Sequence, residues 1–276
     1  MQSTPKYITR LAPTPSGYLH TGNILNFLLV QDWSKQLVAE VLLRIDDLDS
    51  DRVQAKYVDY IFEVLEKLGI AWDLGPRNAM DLAAWSQHGR SHVYEALLQQ
   101  LIDTGRVYAC DCSRAQLHTR GESMYQGHCR HRNIPLDTDN VAWRLHVDNA
   151  DVVFFEKANK RVSTNIFQRT GDPVIRRRDG IAAYHVASLA DDLEFAVTHV
   201  VRGKDLLDAT ALQVYMAQLL GLSAFQDITF WHHPLLVNRD GEKLSKSAGE
   251  HLEKPSLENI EQIFENYKKW RAAFDA

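Results

Sequence analysis

The chain has 276 residues, of which 45% are hydrophobic and 24% charged, and its formal net charge is −5. No stretch approaches the ~20 apolar residues of a membrane helix, and the first residues lack the apolar core of a signal peptide, so we expect a globular cytoplasmic protein with no membrane partner. A negative net charge means that any polyanion is held by local basic clusters, such as residues 176–178 and 268–271, and not by the surface as a whole.

The first predicted elements form a βαβ unit. Residues 7–11 suit a short strand, and the prolines and glycine between 12 and 17 prevent regular structure and build a rigid loop. A helical apolar pattern runs from Asn23 to Leu37, and residues 41–45 suit a buried parallel strand. Strand, glycine loop, helix and strand within about 40 residues are typical of that unit.

The remaining pattern predicts an α/β fold with an insertion. Helices are expected at 51–68 and 92–104, strands at 195–201 and 228–233, and further helices at 209–220 and 256–274. Residues 106–175 are polar and hold every cysteine. We therefore predict a Rossmann-type doubly wound parallel sheet, formed by residues 1–105 and 176–237. The insertion occupies 106–175, and a lysine-rich loop and short C-terminal helical tail occupy 238–276.

Two distant segments together suggest a nucleotide site. His20, Thr21, Gly22 and Asn23 open a helix, where free backbone N–H groups and the helix dipole favour phosphate. Residues 243–247, with the sequence Lys-Leu-Ser-Lys-Ser, suit a clamp on a triphosphate. Taken singly, a histidine at a helix start is structural and a lysine pair is an ordinary surface loop; the pairing favours adenylate-forming chemistry. The chain has no P-loop pattern.

These segments resemble the paired motifs of class I aminoacyl-tRNA synthetases, and residues 10–23, 44–49, 184–185 and 201–207 resemble the glutamyl branch. The resemblance implies that a glutamate carboxylate attacks the α-phosphate of ATP with the help of Mg²⁺. Catalysis of such a transfer is mostly positioning and charge stabilisation. It also implies that Lys246 is the main phosphate contact, that Lys243 supports it, and that His20, Gly22 and Asn23 hold the nucleotide.

The expected amino-acid pocket combines cations with one anion. Arg10 and Arg202 suit the two carboxylates of L-glutamate, because a guanidinium group can form bidentate hydrogen bonds with a carboxylate. Asp46 stands where the family holds the α-ammonium, and Tyr184 is placed to hydrogen-bond the substrate. The bacterial glutamyl pattern has Glu in place of Asp46, and glutaminyl relatives have an Asp pair there, so glutamine remains an alternative. The loop residues assigned to this pocket are Leu11, Ala12, Pro13 and Thr14.

A zinc site is expected in the insertion. Cys110, Cys112 and Cys129 supply three ligands, and Tyr125 can complete the tetrahedron as a phenolate. His118, His128 and His131 are competing fourth ligands, and free thiols are the alternative to any metal. The spacing resembles the zinc site of the glutamyl-queuosine tRNA(Asp) synthetases, which implies one structural Zn²⁺.

Only about 26 residues follow Glu250, so the helical anticodon-binding region of a full glutamyl-tRNA synthetase is not expected. The glutamyl-queuosine family resembles such a truncated core. It implies transfer of activated glutamate to the queuosine base at the wobble position of tRNA(Asp), by a protein that we expect to be a monomer. The alternatives are a short glutamyl- or glutaminyl-tRNA synthetase that charges a tRNA 3′ end, and a catalytically silent RNA-binding paralogue.

Overall fold

The computed structural model describes residues 7–119, 121, 124–235 and 260–275. In chain order its strands are β1 (Ile8–Leu11), β2 (Glu40–Leu43), β3 (Val107–Cys110), β4 (Ala142–Leu145), β5 (Asp151–Glu156), β6 (Lys160–Asn165), β7 (Val174–Arg176), β8 (His199–Gly203) and β9 (Thr229–His233). Its helices are α1 (Thr21–Leu37), α2 (Ala55–Lys67), α3 (Leu82–Trp85), α4 (Ser91–Asp103), α5 (Arg114–Thr119), α6 (Ile166–Thr170), α7 (Tyr184–Glu194), α8 (Leu207–Leu219), α9 (Ser223–Gln226) and α10 (Ile260–Asp275). Within these ranges no helix is long and apolar enough to cross a membrane.

The chain packs as two compact units. The first comprises Met1–Gly89, Val197–Asp205 and Phe230–Ala276, and the second comprises Arg90–Ala196 and Leu206–Thr229. The predicted insertion, residues 106–175, lies within the second unit. The first unit is therefore assembled from three separate stretches of sequence.

In the first unit, β1 and β2 pair in parallel, with Arg10 opposite Leu42, and β8 lies beside β9. Helix α1 packs on β1, β2 and β8. Most apolar residues of α1 between Ile24 and Trp33 are buried. A helix that connects two parallel strands packs on the face of the sheet, so little of its surface stays exposed. The predicted βαβ unit is confirmed.

The last helix, α10, also belongs to this core. Tyr267 is buried, and its hydroxyl donates to Asp32 Oδ2 of α1 at 2.6 Å. Arg271 forms an ion pair with the same carboxylate. The basic cluster at 268–271 is therefore split, since Arg271 is paired inside the unit while Lys268 lies at the surface, 2.8 Å from Glu265 Oε1.

The second unit is mainly antiparallel. Strands β3, β4 and β7 form one sheet, with β3 antiparallel to β4 and β4 antiparallel to β7, and β5 and β6 form a hairpin with six paired positions. Helices α7 and α8 pack against each other, and α4 covers α7. Several of these strands have only three or four residues, which explains why the sequence shows no long apolar run between 106 and 175.

Candidate active site and cysteine cluster

His20 caps the N-terminus of α1 in a reciprocal arrangement with Asn23. The imidazole Nδ1 accepts from the Asn23 backbone N–H at 3.3 Å, and Asn23 Oδ1 accepts from the His20 backbone N–H at 3.1 Å. Two of the unpaired donors at the helix start are satisfied in this way. Because Nδ1 is an acceptor, the neutral ring carries its proton on Nε2, which makes Nε2 a hydrogen-bond donor.

Gly22 is required by the position of that ring. A Cβ at residue 22 would lie 2.9 Å from His20 Cε1 and 3.0 Å from His20 Nδ1, closer than normal van der Waals contact. The imidazole therefore folds over the first turn of α1 only because position 22 has no side chain. This gives Gly22 a steric role that the sequence alone did not reveal.

The predicted pocket loop, residues 11–14, is tied to the end of β2. The backbone N–H of Arg44 donates to Leu11 O at 2.9 Å, and the N–H of Asp46 donates to Pro13 O at 2.9 Å. Leu11 and Pro13 are buried, Ala12 is half-buried and Thr14 is exposed. The loop therefore continues the parallel pairing of β1 and β2 past the ends of the strands.

Three charged residues predicted for the pocket are buried in the first unit. Arg10 and Arg202 are 4% and 3% exposed, and Asp46 is 6% exposed. Arg10 Nη1 donates to Val201 O at 3.5 Å, which joins β1 to β8 next to Arg202. The Arg202 guanidinium lies 5.3 Å from the centre of the Phe230 ring. The fold thus places Arg10 and Arg202 on neighbouring strands, β1 and β8.

Asp46 has a buried partner that sequence analysis missed. Arg44 Nε donates to Asp46 Oδ1 at 2.7 Å, and Arg44 Nη2 approaches Oδ2 at 3.4 Å, while Arg44 is only 2% exposed. The available signal was a lone arginine inside the apolar run from Val41 to Ile45, because a charge buried in a strand needs a partner. The pair fixes the carboxylate of Asp46.

The neighbouring Asp47 holds the next loop in place. Its Oδ1 accepts from the Gln87 backbone N–H at 2.8 Å, and its backbone oxygen lies 3.0 Å from His88 Nε2. Gln87 Oε1 in turn accepts from the Leu48 N–H at 3.1 Å. The two adjacent aspartates therefore have different surroundings: Asp46 is held by a guanidinium, whereas Asp47 accepts a backbone N–H.

The other predicted site residues lie elsewhere. Tyr184 begins α7 in the second unit and is 40% exposed, with its ring 5.6 Å from that of His185. Lys243 and Lys246 lie outside the described residues. Of the predicted site residues, those at the start of α1 and the charged residues Arg10, Asp46 and Arg202 lie in the first unit, whereas Tyr184 lies in the second.

Cys110, Cys112 and Cys129 form a compact cluster in the second unit. Their three Sγ atoms all lie within 4.8 Å of one another, and Cys112 Sγ is 3.6 Å from Cys129 Sγ. Tyr125 Oη lies 3.4 Å from Cys110 Sγ and accepts from the Cys129 backbone N–H at 2.8 Å. The four predicted ligands therefore meet at one place.

The 3.6 Å separation of Cys112 Sγ from Cys129 Sγ and the 3.4 Å separation of Tyr125 Oη from Cys110 Sγ are close to those of a tetrahedral zinc site. With Zn–S distances of ~2.3 Å and Zn–O of ~2.0 Å, tetrahedral geometry gives S···S separations of ~3.8 Å and S···O of ~3.5 Å. Among the described side chains no histidine joins the sulfur group, so His128 and His131 are not in it, and the side chain of His118 is outside the described part. The donor set of three sulfurs and one phenol oxygen suits zinc.

The surroundings of this cluster hold Tyr125 firmly. The Arg144 guanidinium lies 3.7 Å from the centre of the Tyr125 ring, and a Cβ on Gly171, whose φ is +57°, would come within 2.4 Å of Tyr125 O. Burial raises the pKa of Tyr125, and it raises the pKa of Cys112 to about 11. Burial also opposes ionisation of Cys110, but hydrogen bonds involving Tyr125, the Cys112 backbone and Arg144 outweigh it and lower the pKa of that thiol. A bound cation would therefore have to displace protons from Cys112 and Tyr125.

The basic cluster at 176–178 lies close to the cysteines. The Arg176 guanidinium stacks 4.4 Å from the centre of the Trp143 ring, Arg177 pairs with Asp179, and Arg178 Nη2 donates to Asp111 O at 2.7 Å. Asp111 is the residue between the first two cysteines. Arg178 thus supports the cysteine loop itself.

Comparison with known proteins gives a consistent assignment. Residues 6–261 match the family described as tRNA synthetases class I (E and Q), catalytic domain. The chain is 37% identical over 244 residues to the glutamyl-Q tRNA(Asp) synthetase of Pseudomonas paraeruginosa, which covers 88% of this chain and 78% of that protein. It is 40% identical over 241 residues to the protein of the same name from Ectopseudomonas mendocina, covering 87% and 77%.

A solved structure shows the same fold. The glutamate-tRNA synthetase of Elizabethkingia anophelis superposes with a TM-score of 0.74 at 26% identity, over 91% of this chain and 54% of that one. The chain thus spans about half the length of that synthetase. Since the match to the catalytic-domain family extends over nearly the whole chain, the protein is a ligase with a class I synthetase fold that belongs to the glutamyl-Q tRNA(Asp) synthetase family.

Proposed function

We propose that the protein activates glutamate with ATP as an adenylate and transfers it to the queuosine base at the wobble position of tRNA(Asp). The observation that carries the proposal is the 37–40% identity, over more than three quarters of their length, to relatives named glutamyl-Q tRNA(Asp) synthetase. L-glutamate, ATP with Mg²⁺ and tRNA(Asp) are the corresponding substrates.

The buried charges of the first unit support glutamate as the amino acid. A free glutamate has two carboxylates and one ammonium, and Arg10 and Arg202 suit the carboxylates. Asp46 suits the ammonium, because it is a buried anion whose carboxylate is held in place by Arg44. Arg44 then acts as a positioning residue, which keeps the shorter aspartate in one orientation. The loop from Leu11 to Thr14 is assigned to the same pocket, and Tyr184 is assigned to glutamate on its motif alone.

The geometry of α1 supports the nucleotide assignment. His20 Nε2 is a donor, and the helix dipole favours negative charge at this end of α1, so a phosphate held there would lie beside Gly22 and Asn23. Lys246 and, in support, Lys243 are assigned to the phosphates on their motif alone.

In the first step, a glutamate carboxylate oxygen bonds to the α-phosphorus and the bond to the pyrophosphate oxygen breaks. The cationic side chains stabilise the departing negative charge.

In the second step, a hydroxyl of the acceptor attacks the glutamyl carbonyl, loses its proton and expels AMP. One structural Zn²⁺ on Cys110, Cys112, Tyr125 and Cys129 would crosslink a polar segment that has little apolar core of its own. Its proposed effect is on the rigidity of the second unit and not on the chemical steps.

A second candidate function is the charging of a tRNA 3′ end. It is favoured by the structural likeness to a glutamate-tRNA synthetase at a TM-score of 0.74. A silent RNA-binding paralogue is disfavoured by the intact capping geometry of His20 and by the buried charge set.

Two measurements test the proposal. ATP–pyrophosphate exchange is measured without tRNA, with glutamate, glutamine and aspartate side by side; we expect exchange with glutamate, and no exchange with any of the three would support the silent paralogue. Labelled glutamate is then transferred to tRNA, which is digested with nuclease. We expect the label on the anticodon nucleotide; label on the 3′-terminal adenosine would instead support the second candidate.

The lysine assignment has its own test. Lys246→Ala should lower glutamate-dependent exchange sharply, because it removes a charge opposite the departing pyrophosphate. The matched control is Lys269→Ala, which removes an exposed lysine of α10. Equal exchange in the two variants would remove Lys246 from the site.

A further inference from the structure

The second unit contains a pocket that the proposed chemistry does not use. It has a volume of about 440 Å³ and lies between β3 and the segment that follows Cys129. This volume is within the range of small-ligand sites, about 300–1,000 Å³. The lining residues are Gly105, Arg106, Val107, Tyr108, Arg130, His131, Asn133, Ile134, Leu136 and His146.

This lining is rich in hydrogen-bond donors and contains no carboxylate. Arg106 and Arg130 belong to the lining, and the guanidinium group of each is held by an acid outside the lining. Arg106 Nη1 lies 2.7 Å from Asp148 Oδ1, and Arg130 contacts the fully buried Asp172 through Nε at 2.5 Å and through Nη2 at 2.6 Å. Such fixed donors bind an anion with little further loss of side-chain entropy.

In the described part of the chain, the side chains of His131, Asn133 and His146 in this lining make no hydrogen bond to the protein, although His146 lies near the Asp148 carboxylate. The Tyr108 hydroxyl is bound to Asp172, so its ring is held in place at the pocket wall. An immobilised aromatic ring, a free amide and fixed cations are the groups that bind the base and phosphate of an unstacked nucleotide.

We propose that this pocket binds a nucleotide unit of the RNA substrate, with its phosphate at the arginine and histidine donors and its base against Tyr108. The proposal rests on the proposed function, in which RNA is the acceptor. The pocket belongs to the same unit as the cysteine cluster, and Tyr108 and Ile134 contact both. A rigid cysteine cluster would therefore keep the pocket in shape.

The structure offers a matched pair of variants to test this. Asn133 and Asn140 are both exposed residues of the second unit with left-handed backbone, at φ of 51° and 56°, a conformation that aspartate also tolerates. Asn133→Asp places a carboxylate at the pocket, whereas Asn140→Asp adds the same charge outside the lining. The two variants have equal net charge and nearly equal shape.

Equilibrium binding of tRNA(Asp) to each variant is the measurement. We expect Asn133→Asp to weaken binding by about fourfold or more, since a like charge about 5 Å from a phosphate has that effect even at the dielectric constant of water. Asn140→Asp should stay within about twofold of the unchanged protein. Equal affinities of the two variants would overturn the proposal.

Binding of a free nucleoside monophosphate is measured in parallel. If Asn133→Asp weakens only the free nucleotide and not tRNA, the pocket is a mononucleotide site and the RNA assignment is wrong. His146→Ala gives an independent test, with His92→Ala on the exposed face of α4 as control. The first should weaken tRNA binding and the second should not; equal effects contradict the proposal.

Failure of the pocket proposal is distinguishable from failure of the proposed function. Transfer of labelled glutamate by the unchanged protein tests the function without reference to the pocket. If transfer occurs and Asn133→Asp has an unchanged KM for tRNA, only the pocket proposal fails. If no transfer to tRNA occurs in the unchanged protein, the proposed function itself fails.

Discussion

Replacement of Gly22 by alanine tests the link between the helix cap and nucleotide binding. The new Cβ would lie 2.9 Å from His20 Cε1 and 3.0 Å from Nδ1, whereas ordinary contacts begin at about 3.4 Å. The backbone of α1 is buried on several sides and the imidazole is the mobile partner, so the ring must swing away. We expect its 3.3 Å contact with the Asn23 N–H to be lost.

Two opposing effects then act on stability. Loss of a side-chain cap costs about 0.5–2 kcal/mol, while alanine in a helix is more favourable than glycine by about 0.5–1 kcal/mol. The free energy of unfolding should therefore change by less than about 1.5 kcal/mol. The effect on ATP should be larger, because a hydrogen bond to a charged group contributes about 1.5–3 kcal/mol, which corresponds to roughly a 10- to 150-fold lower kcat/KM for ATP.

Glutamate-dependent ATP–pyrophosphate exchange, measured over a range of ATP concentrations, checks this expectation, and urea denaturation checks the stability. Gly89→Ala is the matched control, because no atom lies within 4 Å of a Cβ at that position. A Gly22→Ala protein with the ATP dependence of the control would refute the reasoning. It would show that the position of the His20 ring has no bearing on ATP.

Three further predictions follow from the described contacts. The purified protein should bind one zinc per chain by elemental analysis, and Cys129→Ala should lose it and melt at a lower temperature; full zinc content in that variant would contradict the site. Arg44→Gln should lower stability by about 3 kcal/mol and raise the KM for glutamate, because it removes the guanidinium partner of the buried Asp46 carboxylate. The double variant with Asp46→Asn should recover part of the stability, and additive losses of stability would argue against the ion pair. Burial lowers the pKa of His199 and of His233, so below pH 6.5 the unfolded chain binds more protons than the folded chain and stability falls as the pH falls, by at most about 1.4 kcal/mol per pH unit for each histidine. Unfolding in urea at pH 7.5 and 5.5 measures this loss, which should be smaller in His199→Gln; an identical loss in that variant would remove His199 from the explanation.

Local sequence patterns predicted the elements whose burial is regular. The βαβ start was predicted within a few residues, since the apolar residues of α1 and β2 follow the expected periods. Helix α7 was missed because Asp191 and Asp192 interrupt its apolar face, although both are fully buried. Asp191 is accommodated by Tyr94 Oη at 2.8 Å and Arg90 Nε at 3.0 Å, and partners about 100 residues away cannot be deduced from a local pattern. The strand predicted at 195–201 begins only at His199, because Phe195 is the C-terminal cap of α7.

In the candidate site, too, sequence motifs identified the residues but not all of their contacts. Family motifs placed Arg10, Asp46 and Arg202 in one pocket, and the structure buries all three in the first unit. Motifs did not reveal the pairing of Arg44 with Asp46, because an arginine in a strand has no characteristic spacing. The cysteine cluster was predictable because sulfur ligands have few alternative uses, whereas only coordinates show that Tyr125 Oη lies beside the sulfur atoms and that no histidine among the described side chains does.

The contact of Tyr267 and Arg271 with Asp32 has a consequence for biosynthesis. These partners are separated by 235 and 239 positions in the chain. Helix α1 is synthesised before the second unit, but α10, the helix that completes its apolar surroundings, is synthesised after it. The second unit has most of its residues in one stretch and can form first, while the first unit must wait with exposed apolar surface. Aggregation during rapid overproduction should therefore begin from the first unit.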